Sequence, residues 1–254
     1  MARKGKTRAE PPMAGRREAP RPDPLPPDRR TIGQLVAETI SFYRHHFFQT
    51  IPLGLSFAAV TQLTAVFGRR HTEPMGHPPW KDFREPHSLL GGGIETVIVL
   101  GALLLTLSYI AGIVLVTGAK PDFARILAAY GVGVLVYLPV PFLAQLLVLP
   151  AVLYLAAFGW TVPAMVVEGR GFREAFGRSL RLARSDYVHA AGGLATLVIL
   201  FVVIRLMLLF FLRTGGEAGE RLAVALADFV LSPMLFVGSA IVYIDLAARE
   251  QGSE

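Results

Sequence analysis

Residues Leu194–Leu212 read LATLVILFVVIRLMLLFFL, and only Thr196 and Arg205 among these nineteen carry polar side chains. At about 1.5 Å of rise per residue, a helix of this length matches the hydrocarbon thickness of a bilayer. An arginine inside such a run is costly, so it has to face a partner, a polar cavity or a nearby interface. The stretch predicts the fold class: an all-α, polytopic bundle of transmembrane helices.

Composition agrees. The chain has 254 residues, 53% hydrophobic and 17% charged, with a mean hydropathy of +0.49. Soluble domains carry about 25% charged residues. The lack of cysteine excludes disulfides, thiolate metal sites and cysteine nucleophiles. A net charge of +6 invites a nucleic-acid reading, but nine lysines and arginines lie within residues 1–30. Most of the others fall in short segments between apolar runs, as juxtamembrane charge does. No nucleic-acid partner is expected.

Residues 1–30 are rich in proline and arginine and hold too few apolar side chains to fold alone, which predicts a disordered basic cytosolic tail. They also lack the apolar core of a cleaved signal peptide. Residues 31–254 form the membrane domain. It opens on an amphipathic helix, where Thr31 and Gln34 have capping-box spacing and Ile32, Leu35, Val36, Thr39, Ile40 and Tyr43 share a face. That helix suits the inner headgroup region, and equally an extension of the first span.

Six spans are expected, at about 47–67, 94–117, 126–143, 148–167, 188–212 and 222–244. The stretch Ile126–Val167 decides the count. Its 42 residues carry no charge, and a straight helix of them would be roughly 63 Å long, about twice the hydrocarbon thickness. The chain must turn back, and Pro139, Pro141, Gln145 and Pro150 place the reversal between 140 and 148. Pro163 is positioned to kink the returning helix. Residues 168–187, EGRGFREAFGRSLRLARSDY, form a second amphipathic, interfacial helix with five arginines. With both termini cytoplasmic, eighteen lysines and arginines fall inside and six outside, which satisfies the positive-inside rule.

The string VPAMVVEGRGFREAFGRSLRLARSDY and the closing VYIDLAARE resemble a group of bacterial multi-pass proteins, the glycerophosphoryl-diester-phosphodiesterase membrane-domain family. In that group a Pro and a Glu end the fourth span, an Arg-Ser pair follows in a basic cytosolic helix, and Tyr-x-Asp-Leu-x-x-Arg closes the sixth. The matching positions are Pro163, Glu168, Arg178, Ser179, Tyr243, Asp245, Leu246 and Arg249. Some relatives carry a fused phosphodiesterase barrel, which these residues do not contain. The resemblance therefore implies the membrane fold of a bacterial inner-membrane protein and not the enzyme activity. It also implies a cytosolic-face polar cluster of Glu168, Arg178, Asp245 and Arg249.

Depth along the helices supplies a second candidate. Arg205 is eight residues before Arg213, and Asp228 is seven residues after Arg221. Antiparallel neighbours would place them at similar depth, so an intramembrane ion pair is expected. Glu95 is a weaker candidate at a span edge. His71, His77 and His87 match no compact zinc spacing, and Gly91–Gly93 precedes a helix instead of following a strand. With no catalytic motif, no metal site and no cofactor fingerprint, the expected function is a non-catalytic scaffold or accessory module of the cell membrane. Anionic lipid headgroups, or a membrane or cytosolic protein, are the expected partners. The alternative is a small transporter or lipid-handling protein with a polar recess at Arg205, Asp228 and Glu95.

Overall fold

Among the described residues, four helical stretches are long and apolar enough to cross a membrane: Ile98–Thr117, Phe123–Leu143, Val148–Val166 and Tyr187–Glu250. They belong to a computed structural model that describes residues 30–69, 94–146 and 148–252. Among the described residues there are eleven α-helices and no strand. These are α1 (Ile32–His45), α2 (Phe47–Thr50), α3 (Leu53–Arg69), α4 (Ile94–Thr117), α5 (Phe123–Tyr137) and α6 (Val140–Leu146). They continue as α7 (Val148–Phe158), α8 (Thr161–Val166), α9 (Phe172–Ser185), α10 (Tyr187–Leu212) and α11 (Gly216–Gly252). The expected tail up to residue 29 and the loop 70–93, with its three histidines, lie outside the described residues, as does the Glu95 side chain.

Two hairpins organise the bundle. In the first, Arg125 lies against Gly169 and Gly133 against Val162, so numbers fall on one arm as they rise on the other. The pairing centres the reversal at about residue 147, at the far end of the window that the prolines mark. In the second, His189 meets Asp245, Gly193 meets Val242, Leu197 meets Gly238 and Arg205 meets Asp228. The 64-residue apolar stretch is therefore two antiparallel helices, α10 and α11, turned by the 3-10 segment Arg213–Gly215 and by Gly216 at φ +63°. That positive φ suits a residue without Cβ.

The amphipathic opening helix takes the second of its two expected placements. Thr31 and Gln34 form the capping box, and α1 then runs antiparallel to α11. Arg30 sits at Asp245, Thr39 at Gly238 and Tyr43 at Val230. It is one leg of a broken helix whose other leg is α3, and it does not lie across the end of the bundle. The break at Ile51–Pro52 divides the expected span 47–67, because Pro52 brings no N–H to the helix ladder. The last helix runs for 37 residues, well beyond the expected 222–244. Asp245, Arg249 and Glu250 are therefore helical positions with fixed faces.

The outward surface is apolar, unlike that of a water-soluble bundle. On α10, Ile199, Leu206, Phe210 and Phe211 are each more than half exposed, a continuous apolar surface that water would penalise and acyl chains accommodate. The interior holds small and hydroxylated residues, with Ser56, Thr106, Ser108 and Ser232 buried. The Ser108 hydroxyl donates to Ser56 Oγ at 2.7 Å, joining α4 to α3. Two prolines break backbone ladders inside this interior. Pro163 has no N–H for the Gly159 carbonyl, and the Tyr109 hydroxyl donates there instead at 3.2 Å. Pro233 likewise leaves the Phe229 carbonyl without its helical donor. Gly54 packs directly on that carbonyl, where a Cβ would collide, and Tyr43 donates to the neighbouring Val230 carbonyl at 2.6 Å.

Candidate functional site

Among the described residues, buried charge collects in three places, one near the turn of the second hairpin and two at its opposite end. Near the turn, Arg205 Nη1 stands 3.5 Å from Asp228 Oδ1, as the depth argument predicts. The two partners are unequally enclosed: the Asp228 side chain is fully buried, and that of Arg205 keeps 29% of its surface exposed. Thr61 of α3 stands beside the carboxylate, but its hydroxyl donates to the Phe57 carbonyl at 3.0 Å. Among the described residues, neither Asp228 oxygen has a donor in hydrogen-bonding geometry. The pair is a Coulombic contact with little directional support.

At the opposite end, the four residues of the implied cluster separate into two groups. Along α11, Tyr243 and Glu250 are seven residues apart and share a face, while Asp245 and Arg249 lie on another. On the first face, Glu168 Oε1 accepts hydrogen bonds from the Tyr243 hydroxyl at 2.6 Å and Arg178 Nε at 3.1 Å. Arg170 donates to the other oxygen, and Arg178 also pairs with Glu250. Burial pushes the Glu168 carboxyl up. The hydrogen bonds from Tyr243, Arg170 and Arg178, with the Arg178 charge, more than offset this and hold it below the usual carboxylate range.

On the second face, Asp245 is fully buried and Arg249 Nε donates to it at 2.7 Å. The His189 ring lies 3.1 Å from the same carboxylate. Arg30 approaches it at 3.9 Å, and its carbonyl accepts from Arg249 at 2.5 Å. Arg249 also reaches Asp186, which caps α10 through the His189 N–H. One aspartate thus gathers the start of α1, the start of α10 and the end of α11.

The other residues of the resemblance support the first group. The Ser179 hydroxyl donates to the Ala157 carbonyl at 2.7 Å, tying α9 under α7, and Leu246 is fully buried. Trp160 stacks on Tyr243 with ring centroids 6.4 Å apart. The sequence marks Arg170 only as one of the five arginines of residues 168–187 and Arg30 only as a charge of the basic tail, and it singles out none of Glu250, His189 and Asp186. Arg170 stands two residues from Glu168, a local signal that was available. The others meet only through tertiary packing.

Two cavities adjoin the Trp160–Tyr243 stack. One, of about 160 Å³, lies in the bundle and is lined by Phe57, Leu105, Tyr109, Tyr137, Trp160 and Phe236 among others. The second, of about 480 Å³, opens at the bundle end, with Glu168, Arg170, Arg178 and Tyr243 as its polar wall and Ile244 and Ala247 on its apolar side. No family model, curated protein or solved structure matches the chain. Its function has to be argued from this geometry.

Proposed function

We propose that the chain is a six-span, non-catalytic module of a bacterial inner membrane, with both termini cytoplasmic, that contacts lipid or a protein partner through its cytosolic face. The observation that carries this reading is the surface of α9. Its inner face, Ala175, Arg178, Ser179, Leu182 and Ala183, is buried. Its outer face sets the exposed Phe172 and Phe176 beside the exposed Arg173, Arg181 and Arg184. Aromatic rings next to an arginine rim suit a helix at the boundary of acyl chains and anionic headgroups.

The six crossings are α1–α3, α4, α5–α6, α7–α8, α10 and α11. The two hairpins and the balance of lysine and arginine support this order. Likeness to the glycerophosphoryl-diester-phosphodiesterase membrane-domain family fits it too, since Glu168, Arg178, Ser179 and Tyr243 converge on one site. A second reading, a small transporter or lipid-handling protein, draws on the two Asp228 oxygens that accept no hydrogen bond.

Because the chain has no cysteine, each introduced thiol is unique. Thr214→Cys should react with a membrane-impermeant maleimide from outside intact cells, and Ser185→Cys only after permeabilisation. Labelling of both from the same side would end the six-span reading. Replacing Arg173, Arg181 and Arg184 together by Gln should release lipid or protein that co-purifies with the wild type. Unchanged retention would remove the role of α9.

A further inference from the structure

The pocket beside Glu168 has a charge pattern that selects among ligands. Two guanidinium groups, Arg170 and Arg178, and one carboxylate, Glu168, line it together, so both signs of charge face the same space. A simple anion entering here would have to compete with Glu168, and a simple cation with both arginines. A ligand carrying both signs can exchange partner for partner, anion onto guanidinium and cation onto carboxylate. The pocket volume of about 480 Å³ lies within the roughly 300–1,000 Å³ of small-ligand sites.

We propose that this pocket receives the headgroup of a zwitterionic aminophospholipid, with its phosphate on Arg170 and Arg178 and its ammonium on Glu168. Arg170 is the entry point: it is held through Nε, and its side chain remains 37% exposed. Arg178 is the buried anchor, its side chain 9% exposed and fixed between two acids. The site sits directly after α8, at the end of an apolar stretch that closes at Val166. Val167 and Ile244 line the same pocket and are each 37% exposed, which gives the acyl portion an apolar exit. A lipid can therefore place its headgroup in the pocket without leaving the bilayer. This inference rests on the membrane placement proposed above and narrows its lipid contact to one site and one headgroup class.

The test is native mass spectrometry of the full chain in mild detergent, titrated with dioleoyl phosphatidylethanolamine, dioleoyl phosphatidylglycerol and soluble O-phosphoethanolamine. Phosphatidylethanolamine should be retained about tenfold better than phosphatidylglycerol. Glu168→Gln removes the carboxylate that distinguishes the two lipids, and Ala247→Phe fills the pocket without touching a charge; each should abolish that preference. Arg221→Gln, on the first turns of α11 and far from the pocket, should keep it. Equal retention of the two lipids, or a preference that survives both pocket variants, overturns the pocket while lipid contact through α9 stands. Displacement of the lipid by equimolar O-phosphoethanolamine overturns the lipid as source. If the wild type retains no lipid at all, the lipid-contact reading falls with it.

Discussion

The two ends of the bundle bury acidic side chains in opposite ways. Among the described residues, Asp228 has one cation, 3.5 Å away, and no hydrogen bond to either oxygen. Glu168 has three donors on its two oxygens, and one of its cations is itself shared with a second acid. Burial penalises both carboxylates, but only the Glu168 site offsets the penalty with short directional contacts. The difference separates a minimal clamp, whose arginine can still reach toward the membrane surface, from a constructed polar site that borders a pocket.

The largest effect should come from removing the shared cation of the constructed site. Arg178→Met leaves Glu168 and Glu250 without their common partner and should destabilise the protein by about 3–5 kcal/mol, the range for breaking a buried pair. Denaturant unfolding in detergent, followed by circular dichroism, measures it. A loss equal to that of Asp228→Asn would erase the contrast between the two ends.

Asp228→Asn tests the minimal clamp. The amide keeps the shape and removes the charge, and Arg205, already 29% exposed, can turn outward. The expected cost is about 1–2 kcal/mol, with lower abundance in the membrane and no change in solute movement. Unchanged abundance together with lost uptake or efflux would instead favour the transporter reading. The pair Arg205→Met with Asp228→Leu should restore stability to near wild type, since well-packed apolar substitutes for a buried ion pair are often neutral or better.

Acid should act on the constructed site in a defined direction. The folded Glu168 carboxyl titrates below its usual range, so its contribution is present above the unfolded value and fades as pH falls through the folded one. Thermal unfolding between pH 6 and pH 3 should show wild type losing more stability than Glu168→Gln. Parallel curves would mean that the surrounding donors do not favour the ionised form.

What the sequence disclosed follows the same division. Arg205 and Asp228 were legible because helix rise alone fixes their depth from the flanking charges. For Glu168 the sequence offers either Arg173 or Arg178 of the following helix, and only the resemblance points to Arg178, the partner it takes. Their assignment to one cluster with Asp245 and Arg249 failed, because 100° per residue turns those positions to another face of α11. Within the Asp245 group the Arg249 pair follows from i,i+4 spacing, while Arg30, Asp186 and His189 were hidden because they approach from two other helix starts. The path of α1 was undecided because the same apolar face serves an interfacial helix and a packed leg. Thr39 and Gly238, which let α1 close on α11, are visible only as a pair.

The smallest expected effects concern the tyrosines beside the two proline breaks. Tyr109 donates to the carbonyl that Pro163 leaves open, on the side of Trp160 and the pocket, while Tyr43 donates next to the carbonyl that Pro233 leaves open, near Asp228. Hydrogen bonds inside membrane bundles average only about 0.6 kcal/mol, because the unfolded chain in a bilayer also finds partners. Tyr109→Phe leaves a buried carbonyl whose helical donor is missing, so its cost should reach about 1 kcal/mol. Tyr43→Phe removes a second donor from a carbonyl that the helix ladder can still serve, so its cost should stay at or below about 0.6 kcal/mol. Matched unfolding curves of the two variants measure the difference. The reverse order would show that Pro233, and not Pro163, marks the break that depends more on its tyrosine.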